Sequence, residues 1–338
     1  MQNRYVEDVL SEIESRRDEI VRSRTSGESP DTLYIGGGTP SLLPPSSIGR
    51  IVKALSGAPF VEFTLEANPD DVVKGGRDYV KALLDIGVNR VSLGVQSFDD
   101  GLLRWMNRRH DADAACRAME TVLEAGMENL SIDLISGLSQ MGDDVWEESI
   151  LRAVSLGASH ISAYDLSLEE GSALARMVED GRYTMAREEH CRRQYDILCR
   201  TLAGKGFRHY EISNFALPGF EAVHNSAYWT RVPYVGLGPG AHSFIVQDGV
   251  QKRRWNEQKL HGYGFEEETL GEEEIKTETV MLSFRTARGI DEVVLRGICG
   301  SGKIQRKLED GLLELSDGRI RIPERHFFIS DEIIAELL

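Results

Sequence analysis

The chain has 338 residues, enough for one large core and a small appended domain. Its 41% apolar and 28% charged residues are ordinary for a globular protein, and its net charge of −16 excludes nucleic acid or an anionic membrane as main partner. No apolar run nears the roughly 18 residues of a membrane span, the charged start is no signal peptide, and scattered cysteines without a Cys-x-x-Cys pair exclude zinc sites and disulfide frameworks.

Cys116, Cys191, Cys199 and Cys299 therefore read as reduced thiols of a cytoplasmic protein without a transmembrane segment, for which peripheral membrane contact stays open. The chain opens on a helix, because Val6, Val9, Leu10 and Ile13 share one helical face. In a parallel sheet such a helix is the crossover from a preceding strand. None precedes it, so the architecture reads as lacking its first strand.

Next comes "DTLYIGGGTPSLLPP", residues 31–45, a short strand at Thr32–Ile35 running into three glycines, a Thr-Pro and a helix start. A second strand is expected at Val61–Leu65. Then a unit repeats: a helix ends in glycine and a strand follows, from Gly87, Gly126 and Gly157. In each copy the fourth residue after glycine is apolar (Val91, Leu130, Ile161) and the fifth is serine (Ser92, Ser131, Ser162). Five strands alternating with helices predict a parallel sheet, either barrel-like or open and doubly wound.

Beyond about residue 205 the cadence breaks. "RHYEISNFA" and "PYVGLGPGAHSF" predict further strands joined by a loop, "HNSAYW", and Lys252-Arg253-Arg254 predicts a solvated turn beside Trp255. From Thr277 short helices and a hairpin-like "LLELSDGRIRIP" predict a helix-plus-wing module. The expected segments are 1–205, 206–275 and 276–338.

The working residues of parallel α/β barrels sit beyond the carboxyl ends of the strands. There this sequence places Gly36, Gly37, Gly38 and Thr39, then Glu66 and Asn68, Gln96 and Ser97, Asp133, and finally Tyr164, Asp165 and Ser167. Each alone serves equally well as a cap or turn residue. Together they predict a polar ligand site. Glycines let a ligand touch the main chain, Glu66 or Asp133 can balance an ammonium or hold a ribose, and Arg108 can grip a carboxylate. The set suits a nucleoside joined to an amino acid. It does not suit nucleotide motifs: "GICGSGKI" imitates a Walker A loop but carries Ile304 in place of the magnesium-binding hydroxyl.

"GGGTPSLL", "TLEANP", "GVNRVSLGVQSF", "NRRH", "SIDLISGL", "HISAYDLSLEEG", "HYEISNFA", "HNSAYW" and "YVGLGPGAHSF" occur in that order. With them the chain resembles the oxygen-independent coproporphyrinogen III oxidase-like family of radical S-adenosylmethionine proteins. "HNSAYW" and the short trailing domain are more similar to its heme chaperone (HemW-type) branch.

The resemblance implies an α/β fold, a partial (β/α) barrel with a small C-terminal helical or winged module, binding S-adenosylmethionine and heme and serving a heme-accepting protein. It implies that the methionine moiety lies against Gly37, Gly38 and Thr39, with Gly36 part of the same cofactor-binding stretch and Glu66, Gln96, Arg108 and Asp133 on the ligand's polar groups. The family holds a [4Fe-4S] cluster with Cys-x-x-x-Cys-x-x-Cys upstream of a helix resembling "RYVEDVLSEIE". This chain starts at Met1, just before that helix, and none of its cysteines can substitute. The expectation is thus no metal site and no radical chemistry in this polypeptide, begun at an internal methionine or, alternatively, a natural cluster-less relative; whether it acts as an enzyme stays open.

"GLSQMG", residues 137–142, departs from the family's Gly-Leu-Pro, and Ser139 and Gln140 are expected to loosen that turn. For an axial heme ligand the sequence offers His224 first and His242 second. The alternative for His224 is a hydrogen bond within its loop while Tyr228 and Trp229 pack it. The competing functions are the coproporphyrinogen oxidase itself and a ligand-binding relative without a cluster.

Overall fold

Gly87, Gly126 and Gly157 adopt φ of 98°, 99° and 92°, which closes three helices by one device. Each N–H, and that of the next residue, turns back onto a carbonyl of the last helical turn, as in Gly87 to Leu84 at 2.9 Å and Val88 to Leu83 at 3.0 Å. The repeated glycine of the sequence is this left-handed cap. The computed structural model describes residues 2–25, 31–55 and 59–338.

The strands are β1 (Thr32–Ile35), β2 (Glu62–Ala67), β3 (Arg90–Gln96), β4 (Leu130–Ser136), β5 (His160–Asp165), β6 (Arg208–Glu211) and β7 (Asn214–Ala216). They form one seven-stranded sheet in the order β1-β2-β3-β4-β5-β7-β6, curled as a half-barrel. Pairing is parallel from β2 to β5, and β7 then runs antiparallel to β5 and β6. The mixed α/β class and the barrel-like alternative are thus the ones found.

Val91, Leu93, Leu130, Ile132 and Ile161 are buried on the sheet's helix-covered side, with Leu83, Ala118, Met119 and Ile150 also buried on the helices. The other face is polar. Thr64, Arg90, Ser92, Ser131, His160 and Ser162 occupy alternate positions and are all buried. Barrel interiors are ordinarily filled by branched apolar side chains, so this interior is built for something other than packing.

The chain divides into two compact units, one of residues 35–42 and 64–221, the other of 1–34, 43–63 and 222–338. That division differs from the segments 1–205, 206–275 and 276–338, since β6 and β7 complete the first sheet and belong to the first unit.

In the second unit the opening helix Gln2–Ser15 buries Val6, Val9 and Ile13 against Leu43, Val235 and Leu237. Glu12 is buried there too. It accepts from Gly238 N (2.8 Å), Asn256 Nδ2 (2.8 Å), Tyr263 Oη (2.9 Å) and Arg16 Nη1 (3.2 Å). Arg16 also donates to Glu19 and to the Gly236 carbonyl, both at 2.6 Å.

Two local expectations change. "HNSAYW" lies in a helix, Val223–Trp229, and not a loop, because the Glu62 carboxylate accepts the first N–H groups, Val223 at 2.8 Å and His224 at 3.0 Å. A cap from 161 residues away has no local signature. Lys252-Arg253-Arg254 lies within β9 and not a turn: β8 (His242–Gln247), β9 (Val250–Asn256) and β10 (Phe265–Thr269) form an antiparallel sheet. Lys252 pairs with Glu267 at 3.2 Å, and Arg254 lies over the Phe265 ring. The acidic partners arrive from β10, so the basic triplet is neutralised across strands.

The predicted hairpin near the C-terminus is present. β11 (Ile290–Asp291), β12 (Glu314–Ser316) and β13 (Arg319–Arg321) make a small sheet, and Asp317 and Gly318, at φ 51° and 74°, form the turn that an Asp-Gly pair favours.

Candidate functional site

The glycine loop is exposed at Gly36, Gly37 and Gly38 and is held from below. Ser41 Oγ donates to Asp71 Oδ2 at 2.7 Å and accepts from Asn68 N at 3.2 Å, while Arg109 reaches Asp70 and Asp71 at 3.6 and 3.4 Å. Gly37 needs glycine for its φ of 98°. Gly38 does not: a Cβ there would meet nothing within 4 Å. The chain's own packing leaves that backbone bare without requiring it, as a surface meant to touch a ligand would be.

Glu66, at the end of β2, bends to this loop and accepts from Gly37 N at 3.0 Å. Beside it Asp133 on β4 accepts from Ser92 Oγ at 3.1 Å and is hydrogen-bonded by Ser162. Burial pushes the Asp133 carboxyl up to about 6, against the two serines, with the Glu66 charge adding to the rise. Arg108 senses the Asp133 charge, which offsets part of the effect of its own desolvation. Tyr164, at the end of β5, is pushed up to about 12 by desolvation and by Asp133, and Glu66 and Glu211 contribute.

Gln96 ends β3 with φ 70°, in the left-handed region that costs a non-glycine residue about 1 kcal/mol or more. The β3–β4 register is irregular between Leu93 and Gln96. Gly94 makes room for the returning side chain, since a Cβ there would stand 3.0 Å from Gln96 Nε2. Such a bulge re-aims a side chain at a sheet end.

The structure thus brings Gly37, Glu66, Asp133 and Arg108 together at one mouth of the sheet, with Tyr164 among them and Gln96 on the adjoining strand end. Carboxylates predominate, which favours a ligand carrying positive charge. The set offers carboxylates to a cation, and a guanidinium and bare amides to a carboxylate.

Sequence reading missed what positions the site. Ser92 and Ser162, seen as a repeat, are the donors that steady Asp133. The turn at 137–142 is pinned and not loosened: Gln194, fully buried, accepts from Gly137 N at 2.8 Å and donates to the Met141 carbonyl at 3.2 Å, while the Ser139 N–H meets Tyr183 Oη at 2.9 Å. Both anchors come from far along the chain.

His224 and His242 belong to the other unit. His224 Nδ1 lies 2.8 Å from Thr32 Oγ1 and Nε2 lies 2.7 Å from Tyr228 Oη, with Tyr34 stacked at 5.1 Å. Both ring nitrogens are engaged, as the hydrogen-bonding alternative anticipates. His242 is exposed on β8 and stacks on Trp255 at 6.5 Å.

The four cysteines are separate free thiols, and no group of three His, Cys, Asp or Glu suited to a metal ion is present among the described residues. Burial and the Asp165 charge push the Cys191 thiol up to about 11, opposite to what a thiolate ligand requires. These residues do not fit an iron–sulfur cluster.

Residues 6–153 match the family model described as the radical SAM superfamily. The chain is 32% identical over 336 residues to the heme chaperone HemW of Mycobacterium tuberculosis, spanning 95% of this chain and 84% of that one. It is 30% identical to the heme chaperone HemW of Bacillus subtilis, spanning 100% and 93%. Bovine radical S-adenosyl methionine domain-containing protein 1, mitochondrial, is 30% identical over 99% of this chain and 83% of its own. The structure of coproporphyrinogen III oxidase (HemN) from Escherichia coli superposes with TM-score 0.74 over 97% and 83%, at 17% identity, a likeness of fold.

Proposed function

Since this chain belongs to the radical SAM superfamily, in the family of the heme chaperone HemW, we propose that it is a heme chaperone that binds S-adenosylmethionine at the mouth of the half-barrel and carries heme to an acceptor protein in the cytoplasm. The carrying observation is the convergence of Gly37, Glu66, Arg108 and Asp133 on one polar mouth. Gly36 to Thr39 and Glu66 hold the methionine moiety, Arg108 its carboxylate, and Gln96 and Asp133 the nucleoside. In this superfamily, reductive cleavage of the bound molecule supplies a 5′-deoxyadenosyl radical. The chain's own contribution is to bind and orient it.

Heme is cargo in this reading. No helix among the described residues is long and apolar enough to cross a membrane. His224 is the first candidate for the axial ligand. Thr32 holds Nδ1, which fixes the ring, and Nε2 would exchange the Tyr228 hydroxyl for iron. His242 is the second.

Titration of the chain with heme is expected to saturate at one equivalent with a Soret band. His224→Ala should shift that band and weaken binding by at least about tenfold, the loss that follows even when only a ligand's outer-shell partner is removed, while His242→Ala leaves it in place. No saturable band would end the chaperone reading. A band lost only in His242→Ala would move the ligand there.

A further inference from the structure

Arg90 opens β3 and is 2% exposed. Ser92, two residues on and so on the same face, donates to Asp133 Oδ1 at 3.1 Å. Arg90 therefore lies on the inner wall of the half-barrel, deeper than the Asp133 site, because Ser92 is in register with Ser131, two residues before Asp133. Its Nε is buried with no hydrogen-bond partner, and it makes no ion pair among the described residues.

Burying an arginine without a carboxylate against it is costly, and the guanidinium cannot shed its proton. Its charge therefore acts on what surrounds it. Asp133 is faced by Glu66 from β2, by Arg90 and Ser92 from β3, by Ser162 and Tyr164 from β5, and by Arg108 from the segment after β3. Burial and Glu66 both drive Asp133 toward the neutral acid; Ser92 and Ser162 oppose them first, and the Arg90 charge adds to that opposition from within the wall. His160, also inside, bonds Ser131 Oγ at Nδ1 and Tyr210 Oη at Nε2, both at 2.8 Å. Burial and the Arg90 charge keep that ring neutral far below its ordinary range, so it does not titrate where Asp133 does.

We propose that Arg90 is a positioning residue whose buried charge keeps Asp133 ionised, so that Asp133 can accept hydrogen bonds from the ligand. This rests on the reading that Asp133 contacts S-adenosylmethionine. Arg90 itself touches no ligand in this account.

The test is equilibrium binding of S-adenosylmethionine to the full chain between about pH 5 and pH 9, for the unaltered protein and Arg90→Gln, Arg90→Lys and Asp133→Asn. Affinity of the unaltered protein should fall as the pH drops through about 6. In Arg90→Gln that inflection should move up by as much as about one pH unit, with a roughly twofold loss near pH 7 that grows toward about tenfold at pH 5 and closes at the alkaline end. Arg90→Lys should keep the inflection in place. An Arg90→Gln profile that overlies the unaltered one, or one lowered equally at every pH, overturns the proposal. Should Arg90→Gln not fold, a displaced inflection in Arg90→Lys overturns it, and an unmoved one supports it. Asp133→Asn separates the two levels. If it binds like the unaltered protein, the ligand reading has failed; if it binds weakly while Arg90→Gln leaves the profile unmoved, only the role of Arg90 has.

Discussion

Glu66→Ala and Asp133→Ala are each expected to weaken S-adenosylmethionine binding by roughly 10- to 100-fold, the worth of a charge-assisted hydrogen bond of about 1.5–3 kcal/mol. Glu66 does two things: it offers a carboxylate at the mouth, and it accepts the Gly37 N–H at 3.0 Å, which holds the exposed glycine loop in place. Its removal takes away a group that raises the Asp133 carboxyl, so Asp133 becomes easier to ionise in Glu66→Ala. Any loss in that variant therefore comes from Glu66 itself. Equilibrium dialysis near pH 8 avoids the Asp133 titration. Unchanged affinity in both variants would show that the strand ends do not hold the ligand.

Glu12→Ala is expected to destabilise the unit built on the N-terminal helix by about 3–5 kcal/mol, as breaking a buried ion pair does. Four donors converge on this carboxylate from Arg16, Gly238, Asn256 and Tyr263. Alanine would take the shared acceptor from all four, leaving Arg16 with Glu19 as its one carboxylate beside the Gly236 carbonyl and Ser243. Glu12→Gln should cost less, since the amide oxygen still accepts. Chemical denaturation measures both. A change below about 1 kcal/mol for Glu12→Ala would mean that these groups find water or relax apart.

What could be read from residues alone followed local chemistry. The glycine caps at 87, 126 and 157, the five alternating strands and the Asp-Gly hairpin each have a short-range cause, and each is found. Motif order carried the family, and the strand ends drew notice because parallel barrels place polar ligand sites there. Distant partners were not legible. Glu62 turning "HNSAYW" into a helix, Gln194 pinning Gly137, and Glu267 and Glu268 drawing the basic triplet into β9 all act across long separations. Glu12 and Arg90 look like solvated charges in sequence, and only the fold reveals them as buried.

A structure of the chain with S-adenosylmethionine bound tests the convergence most directly. The account predicts the methionine moiety against Gly37 to Thr39 with its ammonium near Glu66, the carboxylate on Arg108 and the ribose within hydrogen-bond distance of Asp133. Ligand density on another face, with Glu66 still accepting from Gly37 and Asp133 from Ser92, would contradict it.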